Sequence, residues 1–193
     1  MLFNAFSEHV LHRLQVETEP VKSRKLRITY LTRDTKYRKV LNEDEMLERI
    51  SSNADYEVRK VKYGRNMSFK DQLRITRNSD IFIGIHGAGL THLLFLPKWA
   101  TLFELYNCED PNCYKDLARL RGVNYITWED DSLIESIDAN YEDGSHAKFK
   151  NYKFDVDEFE RLTGKAAKAV IENKEFVEFI EKSNQANNNR DEL

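Results

Sequence analysis

Three groups of residues in this sequence could meet a ligand. The first is His86-Gly87-Ala88-Gly89-Leu90-Thr91, which follows the apolar run Ile81–Ile85 and leads into Phe95-Leu96-Pro97. Glycines let backbone approach a ligand with no Cβ in the way, and a helix opening near Gly89 presents free N–H groups and a partial positive charge. Such a loop suits a phosphate. The second group is Arg33 with Arg38, whose planar forks of donors match two phosphate oxygens at once. The third is Glu104, a carboxylate inside the otherwise apolar Thr101–Tyr106 stretch, where it requires a partner or a solvent-facing position. A ribose with vicinal hydroxyls supplies such a partner, and so does a basic side chain at a sheet edge. No Gly-Lys-Ser/Thr follows the glycines and the Gly-x-Gly-x-x-Gly spacing is missing, so the loop is neither a Walker A loop nor a dinucleotide fingerprint. The plainer reading of each part is a tight turn with His86 bonded to backbone, and two solvated arginines.

Other candidates carry less. Asp55-Tyr56-Glu57 has the look of an acidic metal-holding triplet, but it stands at the start of a strand, away from the carboxyl edge where ligands gather. A solvated turn is expected there. His9, His12 and His146 are isolated, and His92 reads as surface. Cys108 and Cys113 enclose four residues, too few ligands for zinc, which leaves two free thiols or a small local disulfide.

The elements that must position these groups follow from periodicity. Phe3, Phe6, Val10, Leu11 and Leu14 recur at helical spacing, which predicts an amphipathic helix over 2–16 with Phe6 on its apolar face. Strands are predicted at Leu26–Leu31, Tyr56–Tyr63, Ile81–Ile85, Thr101–Tyr106 and Asn124–Trp128. Between them lie predicted helices opening at an Asn42 cap, at Ser68 with Phe69 partly inward, at Leu90 and at Cys113. Alternation of this kind implies a doubly wound parallel sheet, α/β and Rossmann-like, with ligands beyond the carboxyl ends of its strands. Residues 130–152 read as loop, and a last helix is expected over 155–181, broken near Gly164. The expected organisation is a helix and linker at 1–25, an α/β domain at 26–154, a terminal helix at 155–183 and a disordered tail at 184–193.

A length of 193 residues with 40% hydrophobic content fits one globular domain, and a formal charge of −3 argues against a nucleic-acid footprint. No apolar run is long enough to span a membrane. The chain ends in Arg190-Asp191-Glu192-Leu193, one residue from the tetrapeptide that retains proteins in the endoplasmic reticulum. A retention address with no secretory entry signal leads to the expectation of the carboxyl-terminal part of a longer lumenal protein.

Thr32-Arg33, Asn42-Glu43-x-Glu45 and above all His86-Gly87-Ala88-Gly89-Leu90-Thr91 running into Phe95-Leu96-Pro97 resemble the carboxyl-terminal half of glycosyltransferase family 61. Tyr106–Trp128 is similar to the branch of that family acting on EGF-like repeats. The resemblance implies half of a GT-B enzyme that inverts the anomeric centre, with UDP-N-acetylglucosamine as donor and Ser or Thr hydroxyls of EGF repeats, including Notch-like receptors, as acceptors. It implies donor contacts from Arg33, Arg38, His86, Gly87, Ala88, Gly89, Leu90, Thr91 and Glu104, and a retrieval receptor for the terminal tetrapeptide. The base is expected from an amino-terminal domain, so the chain alone is expected to be inactive. Any need for a divalent metal stays open. Two alternatives keep weight: a family member with another acceptor, O-mannose glycans or xylan, and a non-catalytic lumenal α/β module.

Overall fold

Five short segments rich in branched and aromatic residues pair side by side in a computed structural model that describes residues 2–21, 25–105, 112–138 and 149–191. They are β1 (Leu26–Leu31), β2 (Tyr56–Val61), β3 (Ile81–Ile85), β4 (Thr101–Leu105) and β5 (Asn124–Thr127). All pairs are parallel, in the order β2-β1-β3-β4-β5. Every residue of β3 and β4 is buried, which is why their sequences are near-continuously apolar. The chain winds outward from β1 to β2, then crosses back to add β3 on the other side of β1. That reversal parts the connections leaving β1 and β3 and opens a crevice at their carboxyl ends.

Helices cover both faces. On one, α2 (Glu43–Ser51) and α5 (Val156–Ile171) bring Met46, Ile50, Phe159 and Leu162 onto Ile28, Ile83 and Phe103. On the other, a 3-10 helix (Ala88–Phe95) and α4 (Cys113–Arg121) bring Leu90, Leu93 and Ala118 onto Phe82 and Leu102. Outside the 3-10 helix, α1 (Leu2–Arg13) and α3 (Phe69–Arg77) pack Leu11 and Leu73 against Phe95. Two positions expected to face inward do not: Phe69 is 52% exposed and Phe6 51%. Helix α3 buries Leu73 and Thr76 instead, and α1 buries Leu11.

Further departures from expectation involve the last third of the chain. Residues 130–152 are not all loop: β6 (Ile134–Asp138) and β7 (Lys150–Phe154) form an antiparallel pair. In β7, Tyr152 and Phe154 are buried and alternate with the polar Asn151 and Lys153, a five-residue signal overshadowed by the acidic stretch before it. Asn42 stands at the N-cap position of α2, but its side chain does not bond the helix. Its side-chain amide donates to the Phe154 carbonyl at 2.8 Å and its Oδ1 accepts from the Phe154 N–H at 3.1 Å.

The terminal helix breaks at Glu172–Asn173 and not at Gly164. Glycine inside a helix costs about 1 kcal/mol, which the buried face of α5, Phe159, Leu162, Ala166 and Val170, overrides. Asn173 then turns the chain and accepts from the Glu175 N–H at 2.9 Å. Helix α6 runs over Lys174–Asp191, through the stretch read as a disordered tail from Asn184.

Candidate functional site

The β1/β3 crevice holds a cavity of about 330 Å³. Leu31, Thr32, Arg33, Asp34, Thr35 and Arg38 line it from the end of β1, Lys62 and Tyr63 from the end of β2, and Ile85, Gly87, Ala88 and Gly89 from the end of β3. The two arginines meet there on a single acceptor. Arg38 Nη1 donates to the His86 carbonyl at 3.0 Å, and Arg33 Nη1 reaches the same oxygen at 3.5 Å while its Nε donates to Thr35 Oγ1 at 2.7 Å.

Charge at this point is unbalanced. Among the described residues neither guanidinium has a carboxylate partner, and the one acid in the cavity, Asp34, is bonded to Lys62. Burial first, and then the charge of Arg38, hold the Arg33 guanidinium below the usual arginine range. Among the described residues the buried Arg38 Nε has no acceptor. An uncompensated buried donor costs about 1–3 kcal/mol and invites an anion.

The backbone is arranged to suit. Arg38 stands at φ 58°, in the left-handed region that costs a non-glycine residue of order 1–3 kcal/mol. Strand β7 holds it there: Arg38 N–H donates to the Lys150 carbonyl at 2.8 Å, Tyr152 N–H to Lys39 O at 2.9 Å, and Leu41 N–H to Tyr152 O at 2.8 Å. A Cβ on Gly87 would lie 2.2 Å from Arg33 Nη1, and one on Gly89 2.6 Å from Leu31 Cδ2. Beyond them the first bond of the 3-10 helix runs from the Leu90 N–H to the Gly87 carbonyl, 2.9 Å, so the N–H groups of Ala88 and Gly89 precede the ladder. Cation forks and, among the described residues, backbone donors outside the helix ladder surround one small crevice, an arrangement that can hold an anion.

Not every predicted contact belongs to it. The His86 carbonyl joins the arginines, but its ring turns to the other side of the loop, where Nδ1 meets Glu104 Oε1 at 2.5 Å and Tyr114 packs edgewise at 5.0 Å. Glu104 is 1% exposed and its second oxygen accepts from the Tyr125 hydroxyl at 2.6 Å. The partner that a buried carboxylate needs is therefore a histidine and a tyrosine, where the sequence alone suggested a ribose or an edge salt bridge. Leu90 is fully buried core, and Thr91 donates back to the Ala88 carbonyl at 2.7 Å. His92, read as surface, is packed on Tyr63 with Nδ1 3.0 Å from the Gly89 carbonyl.

Lys62 and Tyr63 join the cavity because the strand predicted over Tyr56–Tyr63 stops at Val61, which puts both just past its carboxyl end, the position that singled out Arg33. Asp55-Tyr56-Glu57 opens β2 at the opposite edge of the sheet. Among the described residues no three His, Cys, Asp or Glu side chains gather as a metal site. Cys108 and His146 lie outside the described residues, as do Glu192 and Leu193 of the terminal tetrapeptide.

Comparison with known proteins bears directly on this site. The family model for Glycosyltransferase 61 matches residues 2–103. The chain belongs to glycosyltransferase family 61. It is similar to the EGF domain-specific O-linked N-acetylglucosamine transferase of Drosophila melanogaster, 60% identical over 91% of this chain and 34% of that protein. It is 56% identical to the proteins of the same name from Mus musculus and Rattus norvegicus, over 89% of this chain and 33% of each. The chain thus spans about one third of the length of the curated relatives it matches.

The stretch matched to family 61 contains the whole arginine cavity, from Leu31 to Gly89, and ends one residue before Glu104. The motif residues that do not line the cavity tie it together. Glu43 accepts from Thr32 Oγ1 at 2.9 and 2.8 Å and pairs with Lys60 at 2.7 Å, and Asn42 clamps β7.

Proposed function

We propose that this chain is the donor-binding part of an inverting glycosyltransferase that moves N-acetylglucosamine from UDP-GlcNAc to Ser or Thr hydroxyls of EGF-like repeats. The observation that carries the reading is the Arg33–Arg38 pair. Two guanidiniums converge at the switch point of a family 61 sheet with no carboxylate partner among the described residues. The diphosphate of a nucleotide sugar has the charge and the oxygen spacing to complete them. The names of the relatives support N-acetylglucosamine as the sugar and EGF domains as the acceptor.

The chemistry that follows is a single displacement. The acceptor oxygen attacks the anomeric carbon, the bond from that carbon to the diphosphate breaks with inversion, and a base takes the hydroxyl proton. Negative charge grows on the departing UDP, and Arg33, Arg38 and the N–H groups of Ala88 and Gly89 are placed to receive it without reorganising. No group in the cavity is assigned as the base. That role goes to a second Rossmann-like domain closing over the donor in a GT-B arrangement, drawn from the two thirds of the relatives' length outside this span. The terminal Arg190-Asp191-Glu192-Leu193 supports a setting in the lumen of the endoplasmic reticulum with a retrieval receptor as partner, and Notch-like receptors as EGF-bearing substrates.

Calorimetry with UDP tests the reading. Binding is expected, and undetectable heat at millimolar UDP would overturn it, because a non-catalytic module has no reason to prefer a nucleoside diphosphate. Incubation with UDP-GlcNAc and a folded EGF repeat should yield no transfer by this chain alone. Turnover would place the base within this chain.

A further inference from the structure

Glu104 is an ionisable group buried in the middle of a parallel sheet, and diphosphate binding leaves it with no ligand to touch. We propose that Glu104, buttressed by Tyr125, is a positioning residue that sets the two-arginine site by acting through His86. The inference rests on the diphosphate reading above and adds a determinant of donor affinity on the opposite side of the loop.

Both carboxylate oxygens are committed, Oε1 to His86 Nδ1 at 2.5 Å and Oε2 to the Tyr125 hydroxyl at 2.6 Å. A carboxylate only accepts, so Nδ1 carries the proton and the imidazole is fixed in one orientation. Tyr114 closes on the ring edgewise, and burial together with Glu104 keeps the Tyr125 hydroxyl protonated as a donor. His86 is the first residue past β3 and is followed by glycine, where the chain would otherwise have little to define it. Here it is held at three points. Its ring is bonded to β4, its N–H donates to the Leu105 carbonyl at 3.1 Å, and its own carbonyl is the oxygen shared by Arg33 and Arg38.

That carbonyl is fixed in direction only if the ring and the N–H are fixed. Glu104 and Tyr125 stand on different strands, so the orientation of the arginine pair is referred to the frame of the sheet and not to the loop that carries it. Groups bonded in series should couple energetically, whereas independent sites add.

The test uses UDP calorimetry on Glu104→Gln, Tyr125→Phe, His86→Ala and the Glu104→Gln/His86→Ala pair, with thermal melting to confirm folding. Glu104→Gln should weaken UDP binding about tenfold, and Tyr125→Phe about threefold while preserving shape. In the double variant, adding Glu104→Gln to His86→Ala should cost no further affinity. Nitrogen NMR of the imidazole supplies a readout that general loosening would not imitate: protonated Nδ1 in the unsubstituted chain, with that signal redistributed in Glu104→Gln. UDP affinity in Glu104→Gln within twofold of the unsubstituted chain, additive losses in the double variant, or a neutral His86 protonated on Nε2 would each overturn the inference and leave the diphosphate reading standing. Failure of the unsubstituted chain to bind UDP would remove both.

Discussion

Arg33 lays its guanidinium across Gly87 so closely that a methyl group there would sit 2.2 Å from Nη1. Gly87 has φ 162°, extended backbone that any residue adopts, so the demand for glycine at this position is entirely one of space. Gly87→Ala should therefore leave the thermal melt nearly unchanged, since a flexible side-chain end can move, yet weaken UDP binding about tenfold by displacing the cation. Gly122→Ala provides the opposite case. That glycine, at φ 85°, ends α4 with open space around it, so alanine there should destabilise by about 1 kcal/mol through backbone strain and leave UDP affinity alone.

The arginines themselves should not tolerate lysine. Hydrogen bonds to charged groups contribute about 1.5–3 kcal/mol, so Arg38→Ala should weaken UDP binding by roughly 10- to 100-fold. Arg38→Lys should recover little of it, because an ammonium supplies a point charge without the fork that reaches the His86 carbonyl and the anion together. Titrations at rising salt check the electrostatic part, whose slope should be shallower in the Arg33→Ala and Arg38→Ala variants than in the unsubstituted chain.

Much of this arrangement is legible in the residues, and the illegible parts have physical reasons. Strands β1 and β3 can be read to the residue because their apolar runs are bounded by turn-formers at both ends, and the carboxyl-edge rule then selects Arg33, Arg38 and Gly87–Gly89. The direction of the His86 ring is not in the sequence. Loop residues do not keep strand alternation reliably, and only the packing of α4 on the sheet shows that Glu104 and Tyr114 converge on that ring, with Tyr125 behind the carboxylate. Asn42 illustrates a second limit. Local propensity favours a cap, but a backbone pair 112 residues away competes for the same side chain and prevails. The five residues of β7 gain meaning only once that long-range partner is known.

Asn42 should accordingly matter more than a helix cap. Asn42→Ala deletes two hydrogen bonds to the Phe154 backbone and leaves its N–H and carbonyl unpaired, at a cost of about 1–3 kcal/mol. Asn42→Asp keeps an acceptor for the Phe154 N–H and loses the donor to its carbonyl, so it should fall between alanine and the unsubstituted chain. Denaturant titration reads the order. Because β7 also holds Arg38 through Lys150, both variants should bind UDP several-fold more weakly at temperatures where they remain folded.

His92 makes the fold sensitive to mild acid. Its ring is packed against Tyr63 at 4.7 Å and Phe69 at 6.1 Å, with Nε2 3.0 Å from the Gln72 side-chain amide and Nδ1 the same distance from the Gly89 carbonyl. Burial lowers its pKa from the ordinary 6.5, and the bond to Gly89 offsets this only in part. The unfolded chain thus takes up a proton at a higher pH than the folded one, and in the interval between the two values the unfolded state holds more protons. The contribution is fully present above pH 6.5, is lost as pH falls below it, and stops changing once the folded-state value has been passed. Melting temperature should decline on going from pH 7 to about pH 5, before carboxylates begin to titrate near pH 4. His92→Gln, which keeps a polar group beside Gly89 but cannot titrate, should flatten that decline, and an unchanged slope would place the acid sensitivity elsewhere in the chain.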